Sequence, residues 1–225
     1  MTESGPLVAL VHATPLAIAP AVEALREEIP DVRLWNLLDD RLLVDLAETG
    51  VMTAPLKDRI AGLVGHAMRA KADAVGLTCS AYSAVVDEVA PRYDRPVIKP
   101  DAAMYRQVVA DGHSRVGVLC STPAAADPAL QLVHEAAGGS DAVTGDVEVC
   151  TEAAAAAEAA DQAALVTALT KPAERLVNSG AAALLLAQYS LSAAAGALQE
   201  RFGVPCYSGP RAAAKELRAK LTEEA

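Results

Sequence analysis

The 225-residue sequence predicts an α/β fold of two pseudo-twofold-related lobes, each a parallel sheet flanked by helices. Three observations predict it. Apolar runs of strand length alternate with helical stretches along the chain, the order of a sheet built from crossover connections. The runs are nearly continuous in apolar residues, as in strands covered on both faces. Landmarks of the first half also return, in order, in the second. Asp73-Ala-Val-Gly-Leu-Thr-Cys79-Ser-Ala-Tyr-Ser83 is echoed by Ala182-Ala-Leu-Leu-Leu-Ala-Gln188-Tyr-Ser-Leu-Ser192, with Gln188 in the place of Cys79 (188 − 79 = 109). Pro96 returns as Pro205 at the same spacing, and Leu7-Val-Ala-Leu-Val-His12-Ala-Thr14-Pro15 returns as Arg115-Val-Gly-Val-Leu-Cys120-Ser-Thr122-Pro123 (122 − 14 = 108). A period this long indicates two copies of one supersecondary unit, not a solenoid.

Each element has a local reason. Residues 7–12 form an apolar strand, and Thr14-Pro15 supplies an N-cap and first helical residue for a helix to about Glu28. Val32 to Asn36 reads as a second strand. Leu37 to Gly50 has no counterpart at the repeat spacing and reads as an insertion that could serve as a lid. Thr53 to Lys71 is helical, with Ile60, Leu63, Val64, Ala67 and Met68 at helical spacing. The Cys79 strand follows, then a helix from Ser83, a short strand Pro96–Ile98, and a helix Ala102–Ala110 that Asp101 can cap. The second copy opens at Val116–Cys120 and continues through a helix from Pro123 and a strand Val147–Cys150. Glu152 to Asn178, rich in alanine, reads as one long helix ended by Gly180. Strands 182–187 and 204–207 and helices 191–202 and 210–223 complete the chain. The lobes are expected to comprise 1–98 plus 209–225, and 99–208.

A content of 52% hydrophobic residues can fill a substantial core. The 19 basic against 29 acidic residues give a net charge of −10 with no basic run, which argues against nucleic acid or an anionic membrane as partner. Aromatic residues are 3%, too few for base-stacking platforms. The start, Met1-Thr-Glu-Ser-Gly-Pro6, lacks a basic, apolar leader and no stretch has membrane-span length, so a soluble, cytoplasmic protein is expected. The four cysteines are scattered without a CxxC pair or histidine cluster, which argues against a zinc site or a disulfide framework. No G-x-G-x-x-G follows the first strand, against a dinucleotide site.

Ligands of open parallel sheets bind beyond the strand C-termini. In this sequence those ends carry His12-Ala-Thr14, Cys79-Ser80 and Lys99 in one copy, and Cys120-Ser121-Thr122 and Gln188-Tyr189-Ser190 in the other. If twofold symmetry relates the copies, Cys79 and Gln188 face one cleft. Cys79 is either a working thiol or an inert strand-end residue. His12 is either a second acid/base group or a structural imidazole bonded to backbone. Thr14, Ser121 and Thr122 read as helix caps more than as specificity groups, but the two roles coexist: a cap leaves later N–H groups free, and all three hydroxyls are candidates to bind the substrate. Ser80, Tyr82, Tyr189 and Ser190 can donate to an anion, although both tyrosines could equally pack. Lys99, and more weakly Arg41, could pair with a substrate carboxylate or lie on the surface. Cys120, Cys150 and Cys206 read as core, and the Asp39-Asp40 pair as solvated.

These motifs together, namely His12-Ala-Thr14-Pro15, Ala74-Val-Gly-Leu-Thr-Cys79-Ser, Val116-Gly-Val-Leu-Cys-Ser121-Thr122 and Gly180-Ala-Ala-Ala-Leu-Leu-Leu-Ala-Gln188, resemble the aspartate/glutamate racemase superfamily over essentially the full length. That superfamily includes hydantoin racemases, maleate isomerases and arylmalonate decarboxylases. The resemblance implies two cysteines that move a proton next to a carboxylate, without metal or pyridoxal phosphate, and commonly a homodimer. Cys79 matches the first cysteine position. Gln188 stands at the second, and Ser80 replaces an asparagine. The implied function is a cofactor-independent racemase or isomerase acting on a small anionic substrate, with Cys79 as acid/base or nucleophile, Gln188 as a donor to a developing enolate or carboxylate or else a polar residue shaping the cleft, and His12 as a candidate second acid/base group. A decarboxylase of the arylmalonate type, needing one proton donor, and a non-catalytic binding protein on the same fold are the alternatives.

Overall fold

Alternation between short β-branched or leucine-rich runs and longer amphipathic stretches builds the same series of elements twice. The computed structural model describes residues 5–139 and 142–223. Met1–Ser4, within the segment read for a leader, and Ser140-Asp141, within the loop after Gly139, lie outside the described residues. The first series is β1 (Leu7–His12), a 3₁₀ turn Pro15–Ala17 leading into α1 (Ile18–Glu28), β2 (Arg33–Leu38), α2 (Leu42–Thr49), α3 (Ala54–Arg69), β3 (Ala74–Leu77), a 3₁₀ turn Ser80–Tyr82, α4 (Ser83–Val89), β4 (Val97–Ile98) and α5 (Ala102–Ala110). The second is β5 (Arg115–Cys120), a 3₁₀ turn Pro123–Ala125 and α6 (Ala126–Ala136), β6 (Thr144–Val149), α7 (Thr151–Glu158), α8 (Gln162–Asn178), β7 (Ala183–Leu186), a 3₁₀ turn Tyr189–Ala194, α9 (Ala195–Phe202), β8 (Cys206–Ser208) and α10 (Gly209–Glu223).

Every strand pairing is parallel, because a helix separates each strand from the next. The sheet orders are β2-β1-β3-β4 and β6-β5-β7-β8, so the predicted α/β class and twofold repetition are both realised. The chain divides into unit 1, Met1–Pro100 with Ala213–Ala225, and unit 2, Asp101–Ala212. The helix after each fourth strand thus packs largely on the other sheet. In unit 2, Met104, Tyr105 and Val108 of α5 join Val116 and Val118. In unit 1, Leu217 of α10 lies where a Cβ on Gly76 would meet it at 3.5 Å.

The cores follow the strand period of two. On β7, Ala183 and Leu185 face the α5–α6 layer, whereas Leu184 and Leu186 face Leu165, Leu169 and Leu191. In unit 1, Val75 and Leu77 pack with Ile60, Val64, Tyr82 and Val85.

Three sequence expectations need correction. The segment 37–50 is no insertion: residues 37 and 38 end β2, and α2 has its counterpart in α7, with Leu42 answered by Ala153 (153 − 42 = 111). The match is invisible in the sequence because a leucine-rich helix answers an alanine-rich one. Glu152 to Asn178 is two helices, broken where Ala160 takes the left-handed φ of 52° and Asp161 Oδ1 accepts from Ala164 N–H at 2.9 Å to cap α8. Asp101 holds the N-cap position of α5, but its side chain makes no cap bond and is buried. Among the described residues, no helix is long and apolar enough to cross a membrane.

Helix α8 sits directly on β5. A Cβ on Gly117 would lie 2.8 Å from Leu176 Cβ, against a helix backbone that cannot move away independently. Gly117→Ala is expected to lower unfolding stability by about 1–3 kcal/mol through overpacking, read from urea denaturation.

Candidate functional site

Parallel pairing gathers the polar residues of the strand ends on the C-terminal edge of each sheet. In unit 1, β1 pairs β3 with Val11 opposite Leu77, and Thr78 N–H donates to Val11 O at 3.1 Å. The chain segments His12-Ala13-Thr14 and Thr78-Cys79-Ser80 therefore leave the sheet side by side. Cys79 has extended backbone (φ −124°, ψ 114°), is half-buried, and opens the 3₁₀ turn Ser80–Tyr82. Thr14 caps the turn before α1, its Oγ1 accepting from Leu16 N–H at 3.4 Å, which leaves the hydroxyl proton free to donate elsewhere.

His12 is fully buried and uses both ring nitrogens: Nδ1 lies 2.8 Å from Thr78 Oγ1 and Nε2 2.9 Å from Asn36 Oδ1. Burial pushes its pKa below the ordinary value of 6.5, only partly opposed by the Asn36 bond. The geometry is that of a neutral imidazole tying the ends of β1, β2 and β3 together, with no nitrogen open to a ligand. Asn36 and Thr78 went unread in the sequence, although a threonine immediately before the strand-end thiol is the residue that could have been singled out.

Tyr82 also points inward. It is fully buried and its hydroxyl donates to Leu42 O at 2.7 Å; burial foremost, then the neighbouring Cys79, raises its pKa to about 12. Lys99, at the end of β4, is engaged by Asp87 of α4, Nζ to Oδ2 at 2.7 Å. Arg41 pairs with Asp45 at 2.6 Å. Asp39, read as solvated, instead accepts from Arg59 Nε at 2.8 Å, and the same guanidinium reaches Asp45. The hydrogen bonds to those two carboxylates hold the Arg59 pKa up.

In unit 2 the corresponding edge carries Ser121, Thr122, Gln188, Tyr189 and Ser190. Gln188 Oε1 accepts from Ser121 N–H at 2.6 Å and from Ser121 Oγ at 2.9 Å. A backbone N–H can only donate, so the amide oxygen must face Ser121 and Nε2 faces away with two N–H donors. Thr122 is exposed and makes no side-chain cap bond, contrary to its expected capping role; the chain there turns on backbone bonds such as Ala125 N–H to Thr122 O at 3.1 Å. Tyr189 is buried and Ser190 half-buried. Burial raises the Cys120 thiol, and raises Cys150 and Cys206 to about 12 each. Among the described residues, no group of three or more His, Cys, Asp or Glu side chains is placed to hold a metal ion.

A family model described as Asp/Glu/hydantoin racemase matches residues 16–217. No curated protein matches the sequence. Among solved structures, glutamate racemase from Bacillus anthracis is similar at TM-score 0.74 and 14% identity, covering 98% of this chain and 83% of its own. An aspartate racemase homologue from Pyrococcus horikoshii has TM-score 0.72 and 13% identity, covering 96% of this chain and 98% of its own. A glycine-to-cysteine mutant of arylmalonate decarboxylase, in its sulfate-associated form, has TM-score 0.61 and 20% identity, covering 98% of this chain and 95% of its own. At such identities the likeness is one of fold.

The lowered His12 pKa carries a sign. Between the folded value and 6.5 the unfolded chain binds the proton more tightly, so this stability is present above pH 6.5 and is lost as pH falls through that window. Asp45 and Glu148, held down chiefly by their hydrogen bonds to Arg59 and Arg175, act in the same direction but below their ordinary values of 3.8 and 4.5. Thermal midpoints measured from about pH 7 down to about pH 5 are expected to fall, and His12→Gln to flatten that slope.

Proposed function

Because the chain belongs to the Asp/Glu/hydantoin racemase family, we propose that it is a racemase-type enzyme that moves a proton at the carbon next to a carboxylate or carbonyl, with Cys79 as the acid/base group. The observation that carries the assignment is the contrast among the thiols. Cys79 alone follows a central strand of its sheet while remaining half-buried; Cys120 and Cys150 are sealed, and Cys206 lies on the short fourth strand of unit 2 with its pKa raised by burial.

In this reading the Cys79 thiolate removes the α-proton, the charge left on carbon spreads into the carboxylate as an enediolate, and a proton delivered to the opposite face from water re-forms the C–H bond with inversion. Donors that meet that charge gain most in the transition state. Thr14 and Ser80 beside the thiol supply such donors on unit 1, together with N–H groups of the turns after β1 and β3. Gln188, at the equivalent strand end of unit 2, keeps its Nε2 as a donor on its own edge, aimed away from Ser121. His12 and Tyr82 act on structure, since their polar atoms have buried protein partners, whereas Lys99 spends one N–H on Asp87 and keeps further donors for an anion. The substrate is a small molecule whose reacting carbon lies next to a carboxylate or carbonyl, and the chemistry needs no cofactor.

A second reading is favoured by Gln188 itself. An amide does not exchange a proton as acid or base near neutral pH, and this one is fixed through its oxygen by Ser121. One titrating thiol suits loss of carbon dioxide followed by protonation from a single face.

Proton NMR in deuterated buffer, with amino acids, hydantoins, arylmalonates and unsaturated dicarboxylates, tests both. We expect loss of an α-proton signal or of a carboxylate in at least one class, slowed about a hundredfold or more in Cys79→Ala. A racemic product supports the first reading and a single enantiomer the second. Turnover that persists undiminished in Cys79→Ala would overturn the assignment of Cys79.

A further inference from the structure

The repeated topology provides an internal control, because each residue of unit 1 can be matched to one of unit 2 through equivalent backbone hydrogen bonds. Tyr82 N–H donates to Cys79 O at 3.2 Å as Leu191 N–H donates to Gln188 O at 3.1 Å, so Tyr82 corresponds to Leu191. Asp39 N–H donates to His12 O as Cys150 N–H donates to Cys120 O, which matches Asp39 with Cys150. Leu42 N–H to Asp39 O and Ala153 N–H to Cys150 O match Leu42 with Ala153, and hence Asp45 with Ala156. Ala72 N–H to Ala67 O and Ala181 N–H to Leu176 O align α3 with α8 and match Arg59 with Ala168.

In unit 1 these four positions form one connected polar assembly. The Cys79 turn closes on Tyr82; the Tyr82 hydroxyl bonds the first residue of α2 at 2.7 Å; Arg59 of α3 grips Asp39 just before α2 and Asp45 within it. In unit 2 all four are apolar: Leu191, Cys150, Ala156 and Ala168. That half nevertheless builds the same helices in the same order. The fold therefore does not require the assembly. It accompanies the half that carries the thiol.

We propose that Tyr82 and Arg59 are positioning residues for Cys79, fixing its turn against α2 and α3. The proposal rests on the reading of Cys79 as the working thiol. Its burial supports a mechanical role: Tyr82 and Leu42 are both fully enclosed, so the bond between them is not replaced by one to water when it is broken. Arg59 balances two carboxylates beside this turn, and Arg41 adds a further pair to Asp45.

The test reads the thiol directly and does not depend on turnover. Alkylation of the 225-residue protein by iodoacetamide is followed at each cysteine by peptide mass spectrometry across a pH series, with circular dichroism and thermal melts alongside. In Tyr82→Phe, which keeps the ring and removes only the hydroxyl, Cys79 is expected to react about threefold or more faster as its turn loosens. In Arg59→Gln the two carboxylates lose their counter-charge, and the Cys79 profile is expected to move to higher pH, with Arg59→Lys returning it toward the parent. Cys79 profiles that coincide with the parent in both Tyr82→Phe and Arg59→Gln would overturn the proposal. So would joint labelling of Cys120 and Cys150, which would mark general opening of the fold. A failure of the NMR assay with these shifts present would count against the enzymatic reading and not against the positioning role.

Discussion

The parallel pairing of the first and third strands in each sheet is the constraint on which the rest depends. Val11 opposite Leu77, and Leu119 opposite Leu186, bring two strand ends into adjacent positions with the same polarity. Parallel strands need crossover helices, and each helix begins just beyond a strand end, so caps, turns and free N–H groups collect on one edge. Cys79 and Gln188 occupy equivalent places on those edges because the pairing repeats. What differs is the chemistry attached to a common frame: a thiol in one unit, an amide held by Ser121 in the other.

The cores show how little sequence identity the frame needs. Buried Leu56, Ile60 and Val64 of α3 correspond to Leu165, Leu169 and Ala173 of α8, a change in volume that the neighbouring side chains absorb. Helices α2 and α7 share position and length while one is leucine-rich and the other has five alanines among its eight residues. Hydrophobic burial is non-directional, so many combinations fill the same space. Polar contacts are directional, and they diverge wholesale between the halves: His12, Asn36, Thr78, Arg59 and Tyr82 form networks in unit 1, and Glu148–Arg175 and His113–Tyr207–Asp111 form others in unit 2.

Much of the edge is legible from residue order. Cys79 and Gln188 stand out because a small-residue break after an apolar run is a local pattern. Thr14 behaves as a cap for the same reason. His12, Tyr82 and Lys99 are legible as strand-end polar groups, but their engagement with other protein groups is not. Their partners, Asn36, Leu42 O and Asp87, lie far along the chain or on another element, and nothing in the local sequence marks them. Arg59 escapes notice because an arginine on a helix is ordinarily a solvated residue; only the return of Asp39 and Asp45 to its side makes it a tether.

By itself the sequence determined the periods, and with them the strands, the helices, their alternation, and the repetition that doubles the unit. Those follow from φ/ψ preferences and from which residues avoid water, both properties of short windows. The tertiary structure alone decided that 37–50 carries a repeated helix, that Ala160 breaks an alanine run by adopting a left-handed φ, and which polar atoms are spent on structure. The physical reason is range. Backbone preference acts over a few residues, whereas a buried hydroxyl or imidazole must be satisfied by whatever group packing brings to it, here as far as 40 residues for Tyr82 and 66 for His12.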